Sequence, residues 1–253
     1  MNKILIANWK MNPAKEADAV KLAKGSDVEG VILCPPFPFL IAVKKATKKA
    51  KLGAQDLCFE PSGSFTGEVS AAQLVSVGVE YVIVGHSERR AHLGETDELI
   101  GKKVAAALEA GLIPVVCVGE TLDEREKGQT REVIDRQIRM AFSLIPTSNK
   151  KEKFNVIITY EPVWAISTNH SVEAGLGKAE VPTPAAVEDM ISYMQGIVRG
   201  LPIVPAFLYG GSVNKENVES FLGCSGVHGG LVGAASLSPV DFKEMIRMVQ
   251  EEK

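Results

Sequence analysis

Eight short apolar runs, separated by longer amphipathic stretches, constrain this 253-residue chain more than any other feature. The runs are Ile4 to Asn8, Val31 to Cys34, Leu52 to Gln55, Tyr81 to Gly85, Ile113 to Val118, Val156 to Tyr160, Ala206 to Tyr209 and Gly230 to Gly233. Each is too short for a helix and nearly unbroken in apolar character, as strands buried on both faces are. The stretches between them carry apolar residues at helical spacing. "TDELIGKKVAAALEAG" has Leu99, Ile100, Val104, Ala107 and Leu108 and stops at Gly111, and "SPVDFKEMIRMVQ" opens with Ser238 as N-cap and Pro239 at the first helical position. Alternating strand–helix units imply a parallel sheet. Eight of them at this length fit an α/β chain folded as a single closed (β/α)8 barrel domain, residues 1–253, with its site at the C-terminal ends of the strands. The structural rival, a doubly wound open sheet, usually carries G-x-G-x-x-G or a Walker loop after a strand. The chain has neither, and "GLGKA" lacks the Walker spacing.

Composition narrows the function classes. The net charge is −3, with no basic stripe for nucleic acid and no polybasic cluster for a membrane surface. The densest basic run, Lys44 to Lys51, lies on a helical pattern and reads as a solvated face. The four cysteines have no C-x-x-C spacing, and Cys34 and Cys117 fall inside apolar runs as small hydrophobes. No stretch approaches the 18 or more apolar residues of a membrane span, and no signal-peptide pattern opens the chain, so a cytoplasmic location is expected. The glycosylation pattern Asn169-His170-Ser171 carries no weight without secretion.

A barrel directs attention to the strand ends. The first strand ends in Asn8-Trp9-Lys10, where alternation lets Asn8 and Lys10 point the same way. Lys10 there meets an anion or is an ordinary snorkelling lysine. The fourth ends in Gly85-His86-Ser87-Glu88-Arg89-Arg90, where His86 alone reads as readily as a structural histidine and Glu88–Arg89 as a plain ion pair. The sixth ends in Glu161, a carboxylate whose pKa burial would raise, as suits a general base. Glycines follow the seventh and eighth strands at Gly210-Gly211-Ser212 and Gly233-Ala234, where backbone N–H groups can approach a phosphate. A base, an imidazole, an ammonium and a phosphate nest on one rim suit proton abstraction beside the carbonyl of a small sugar phosphate. No Asp/His cluster has metal-ligand spacing, so metal-free chemistry is expected.

The motifs "ANWKMN", "GAQD", "FTGEVS", "VGHSERR", "CVGE", "YEPVWAI", "YGGSVN" and "LVGAASL" resemble, in that order, those of the triosephosphate isomerase family. They span nearly the whole chain, and "GHSERR" with "YEPVWAI" is highly specific. The resemblance implies a TIM barrel that isomerises dihydroxyacetone phosphate and D-glyceraldehyde 3-phosphate, in glycolysis and gluconeogenesis, without a cofactor. By resemblance, Glu161 would be the base that moves the proton between carbons. A neutral His86, kept so by helix-terminus N–H groups, would polarise the carbonyl. Lys10 would supply positive charge and Asn8 a hydrogen bond, with Glu88 orienting either. Ser212 and the N–H groups of Gly233 and Ala234 would hold the phosphate. Pro162, Val163 and Trp164 would hinge a lid. The loop Gly63 to Ser70 would enter a second subunit, with Thr66 reaching the neighbour's site, so a homodimer is expected.

Two stretches depart from the family pattern. After Ile166 the family has Gly-Thr-Gly-Lys, whereas this chain has Ser167-Thr168-Asn169-His170. Either Ser167 replaces the first lid glycine and contacts the phosphate through its N–H, or Ser167 to Ala174 are inserted and Gly175-Leu176-Gly177-Lys178 is the displaced tip. We take the first, because "WAIST" differs from the family's "WAIGT" at one residue. In "VHGGLVGAAS", His228 stands for an aspartate, Gly230 for a larger residue and Ala234 for a glycine. Neither His170 nor His228 receives a role from the sequence.

Overall fold

The computed structural model describes residues 3–145, 153–166 and 181–251. Eight strands run β1 (Ile4–Asn8), β2 (Val31–Cys34), β3 (Lys51–Ala54), β4 (Tyr81–Val84), β5 (Ile113–Val118), β6 (Phe154–Tyr160), β7 (Ile203–Tyr209) and β8 (Gly229–Val232). All neighbours are parallel, and β8 pairs with β1 to close a (β/α)8 TIM barrel. The strand order is that expected, with ends differing by a few residues. The largest difference is β7, which starts at Ile203 and runs through Pro205; a proline near the start of a strand forfeits one ladder donor without ending the pairing.

Closure explains the unbroken apolar runs. Alternate residues face the barrel interior, where Ile6, Ile83, Val115, Ile157, Leu208 and Leu231 pack. Their neighbours Leu5, Val82, Val116 and Ile158 face the helices, so both faces of each strand need apolar side chains. The helices are α1 (Glu16–Gly25), α2 (Leu40–Ala46), α3 (Ala71–Ser76), α4 (Ser87–Leu93), α5 (Asp97–Glu109), α6 (Leu122–Glu126), α7 (Thr130–Ala141), α8 (Pro184–Ile197), α9 (Val218–Leu222) and α10 (Pro239–Glu251). Their starts carry local signals. Ser70 and Gln73 make a capping box on α3, Thr121 and Glu124 one on α6, and the Asp241 N–H donates to Ser238 Oγ at α10. On α5, Ile100, Val104, Ala107 and Leu108 are buried, and so is Lys103, whose ammonium is paired with Asp56 at 2.7 Å and with Glu95. The basic run is solvated, but it leaves the helix after Ala46: Lys44 lies on α2, Lys51 opens β3, and both are exposed and share Glu80. No helix among the described residues is long and apolar enough to cross a membrane.

Candidate active site

The C-terminal rim of the barrel surrounds a cavity of about 190 Å³ lined by Asn8, Lys10, His86, Glu161, Ser212, Gly233 and Ala234, with apolar walls from Ile166 and Leu231. The strand-end residues therefore converge, although they come from five different strands.

Asn8 and Lys10 reach the cavity, but not by strand alternation. β1 ends at Asn8, and Lys10 has φ +53, in the left-handed region. Such a conformation costs a lysine roughly 1 kcal/mol, and three contacts hold it. The Lys10 N–H donates to Asn8 Oδ1 at 3.1 Å, Gln55 Nε2 donates to the Lys10 carbonyl at 2.8 Å, and Lys10 Nζ meets Glu88 Oε1 at 2.5 Å. Glu88 thus orients Lys10 and lines an adjoining cavity.

Glu161 directly follows β6 and is 3% exposed. Its Oε1 lies 3.0 Å from His86 Nε2, and its Oε2 accepts the Ser87 N–H at 3.1 Å. Burial raises its pKa, but His86, the Ser87 N–H and Lys10 outweigh burial and hold it below the ordinary glutamate value. The sequence argument, from burial alone, expected the opposite direction; donors and positive charge at contact distance reverse it.

His86 caps α4, and its Nδ1 accepts the Glu88 N–H at 3.2 Å. That bond leaves the proton of a neutral ring on Nε2, facing Glu161. Burial favours the neutral ring, but the adjacent Glu161 carboxylate pulls harder and sets the pKa above the ordinary histidine value. In this arrangement the carboxylate works against the neutral imidazole implied by the family. The upward pull lasts only while the carboxylate lies against the ring.

The glycines of the rim divide by cause. At Gly210 an added Cβ would sit 2.5 Å from Thr159 Cγ2, and at Gly211 2.1 Å from Tyr209 Oη, so these two are required by packing. At Gly233 an added Cβ would meet only Lys10, with Nζ at 3.8 Å. Gly233 leads into the 3-10 turn Ala234–Leu237, which puts its open backbone beside the ammonium. Ser212 Oγ donates to the Ala165 carbonyl at 2.8 Å, tying the loop after β7 to the turn that follows Glu161.

The turn after Glu161 is anchored by a residue that receives no role from the sequence. Glu120, the last residue of "CVGE", is 1% exposed and accepts from Trp164 Nε1 at 2.7 Å and Tyr160 Oη at 3.2 Å. Its carbonyl accepts the Val163 N–H at 3.0 Å, and the Arg125 guanidinium stacks 3.6 Å above the Trp164 ring. Pro162, Val163 and Trp164 form or precede a 3-10 turn ending at Ala165. Gln55, in "GAQD", likewise receives no role from the sequence. A buried glutamate at the end of an apolar strand was the available signal for Glu120; Gln55 had none. Ser167, His170 and Gly175 lie outside the described residues. Thr66 is on an exposed loop away from the cavity. His228 Nδ1 accepts the Phe207 N–H at 3.0 Å at the opposite end of the barrel, a structural contact that the sequence could not supply. Among the described residues no group of three or more His, Cys, Asp or Glu side chains is placed to hold a metal.

A sequence profile of the triosephosphate isomerase family matches residues 3–249. The chain is 39% identical to the triosephosphate isomerase of Dictyoglomus thermophilum over 253 residues, covering 97% of this chain and 98% of the relative. It is 42% identical to that of Carboxydothermus hydrogenoformans over 261 residues, covering 98% and 99%. It is 40% identical to that of Herminiimonas arsenicoxydans over 254 residues, covering 97% and 98%.

Proposed function

The chain belongs to the triosephosphate isomerase family and interconverts dihydroxyacetone phosphate and D-glyceraldehyde 3-phosphate, a step of glycolysis, and we propose that Glu161, His86, Lys10 and Asn8 carry the reaction. The observation that supports this most is the contact between Glu161 Oε1 and His86 Nε2, 3.0 Å apart on the wall of one cavity.

The Glu161 carboxylate takes a proton from the carbon beside the carbonyl. The carbonyl oxygen becomes the oxyanion of an enediolate, which the His86 Nε2–H and the Lys10 ammonium stabilise. Protonated Glu161 then returns the proton to the neighbouring carbon, while His86 moves a proton between the two oxygens. Substrate entering between the two side chains separates them. That removes what lowers the Glu161 pKa and what raises the His86 pKa, so each shifts toward the protonation behaviour its role needs. Asn8, whose Oδ1 is taken by the Lys10 N–H, offers its NH2 to the substrate oxygen. The phosphate binds the N–H groups of Gly233, Ala234 and Ser212, near Lys10, and the N–H of Ser167 from the lid. Glu161→Gln tests the assignment: turnover of glyceraldehyde 3-phosphate falls by orders of magnitude with the fold intact, and undiminished turnover refutes it.

We also propose that the chain acts as a cytoplasmic homodimer. A second cavity, about 260 Å³, opens beside Lys10 and Glu88 and is lined by Gln55, Met11 and Leu93. Met11 is 91% exposed and Leu93 62%, and Phe65 on the loop carrying Thr66 is 44% exposed. Apolar surface of that kind is relieved by a second copy whose loop enters the cavity. Sedimentation of the protein as a monomer at micromolar concentration would refute the dimer.

A further inference from the structure

We infer that Arg90 is a positioning residue for His86, an inference that rests on His86 acting as the electrophile. The chain leaves β4 through Gly85, which has φ +73 and sits in the left-handed region. The Arg90 side chain holds the peptide group that leads into His86, and its backbone makes the first-turn helix bond that follows it. Its side-chain Nε–H donates to the Gly85 carbonyl at 2.9 Å, and its backbone N–H donates to the His86 carbonyl at 3.2 Å. Nη2 packs over the same turn, 3.3 Å from where a Gly85 Cβ would stand.

The guanidinium is fixed in turn. Nη1 meets Asp97 Oδ1 at 2.5 Å, and Asp97 Oδ2 accepts from Arg136 Nε at 3.0 Å. Asp97 opens α5 and Arg136 lies on α7, so the turn before His86 is tied to two helices of the outer ring. A planar guanidinium can serve Gly85 and Asp97 at one fixed angle, which an ammonium cannot reproduce. The neighbouring Arg89 side chain instead pairs with Asp56 and Glu95, both at 2.7 Å.

The turn that Arg90 fixes aims two N–H groups: that of Ser87 at Glu161 Oε2 and that of Glu88 at His86 Nδ1. A shift of the turn misdirects base and electrophile together. The phosphate nest at Gly233 is built on β8 and stays where it is. The loss should therefore fall on kcat and spare KM.

The test compares Arg90→Met, Arg90→Lys and Asp97→Asn with the parent chain and with His86→Gln. The readouts are kcat and KM for glyceraldehyde 3-phosphate, circular dichroism and Tm, and the 15N signals of the His86 ring. Arg90→Met should lose about ten- to a hundredfold in kcat with KM within about twofold. Arg90→Lys should recover part of the loss, and Asp97→Asn, which loosens the guanidinium without removing it, should show a smaller loss. The His86 signals should move away from those of the parent. An unchanged kcat in folded Arg90→Met overturns the inference, as does a lowered Tm with unaltered kcat and ring signals. If Arg90→Met does not fold, Asp97→Asn decides by the same criteria. Full activity in His86→Gln would overturn the role of His86 itself, a different failure from full activity in the Arg90 variants alone.

Discussion

Replacing Gly119 by alanine should damage catalysis although Gly119 bears no reactive group. It follows β5, and its N–H donates to Gln137 Oε1 at 2.8 Å while Gln137 Nε2 donates to its carbonyl at 3.2 Å. Gln137 is buried on α7 and holds the segment from both sides. An added Cβ would stand 1.8 Å from the carbonyl oxygen of Glu161, where real Cβ contacts essentially never fall under 3.0 Å. One backbone segment must yield by about 1.2 Å, and the obstacle is backbone rather than the end of a flexible side chain. Displacement on that scale costs on the order of a hundredfold in rate when it misplaces a catalytic group. Overpacking a buried site costs a further 1–3 kcal/mol or so of stability. For a chain of this size that is a fall in Tm of roughly 2–12 °C. The assay is kcat with glyceraldehyde 3-phosphate together with a thermal melt. A Gly119→Ala variant with parental kcat and Tm would refute the claim that the close approach of Gly119 to the Glu161 backbone is what seats Glu161.

Two further perturbations test other parts of the structure. Glu120→Ala leaves the buried donor Tyr160 Oη, at about 1–3 kcal/mol, and the half-buried donor Trp164 Nε1 without their acceptor. Its Tm should fall by several degrees, with a shift in Trp164 fluorescence as the turn around Trp164 loosens; an unmoved melt and spectrum would remove Glu120 as the anchor. His228 has its pKa lowered below 6.5, chiefly by burial, so the folded state favours the neutral ring. The unfolded chain then binds a proton first as pH falls, and stability held above pH 6.5 declines below it. His228→Asn keeps an acceptor for the Phe207 N–H and does not titrate. Its Tm should vary less than the parent's between about pH 7 and 5, and equal slopes would show that His228 is not responsible.

The barrel was legible because its signal is local. Strands buried on both faces need unbroken apolar runs, helices between them need period-3.6 stripes, and eight repeats in sequence leave few closed architectures. Asn8, His86, Glu161, Ser212 and Gly233 could be named as rim residues for the same reason: each ends or follows a run, and a parallel barrel carries all such ends to one side. The resemblance of motifs then assigned chemistry to positions that spacing alone left ambiguous, Lys10 and His86 above all.

What the sequence determined by itself was therefore which residues stand on the rim and which reaction class they suit. The tertiary structure decided the state and aim of those residues. Burial of Glu161 predicts a raised pKa only until the Ser87 N–H, 74 residues away in sequence, and His86 are brought into contact with it. Lys10 enters the cavity through a left-handed turn that Gln55 holds from 45 residues away. Gly119 is a glycine because the backbone of Glu161 passes through the space of its side chain, and Glu120 is an anchor because Trp164 and Tyr160 come to it. Hydrogen-bond partners, electrostatic shifts and close approaches depend on distances through space between elements far apart in the chain. Periodicity and motif spacing carry no information about those distances until the barrel has closed.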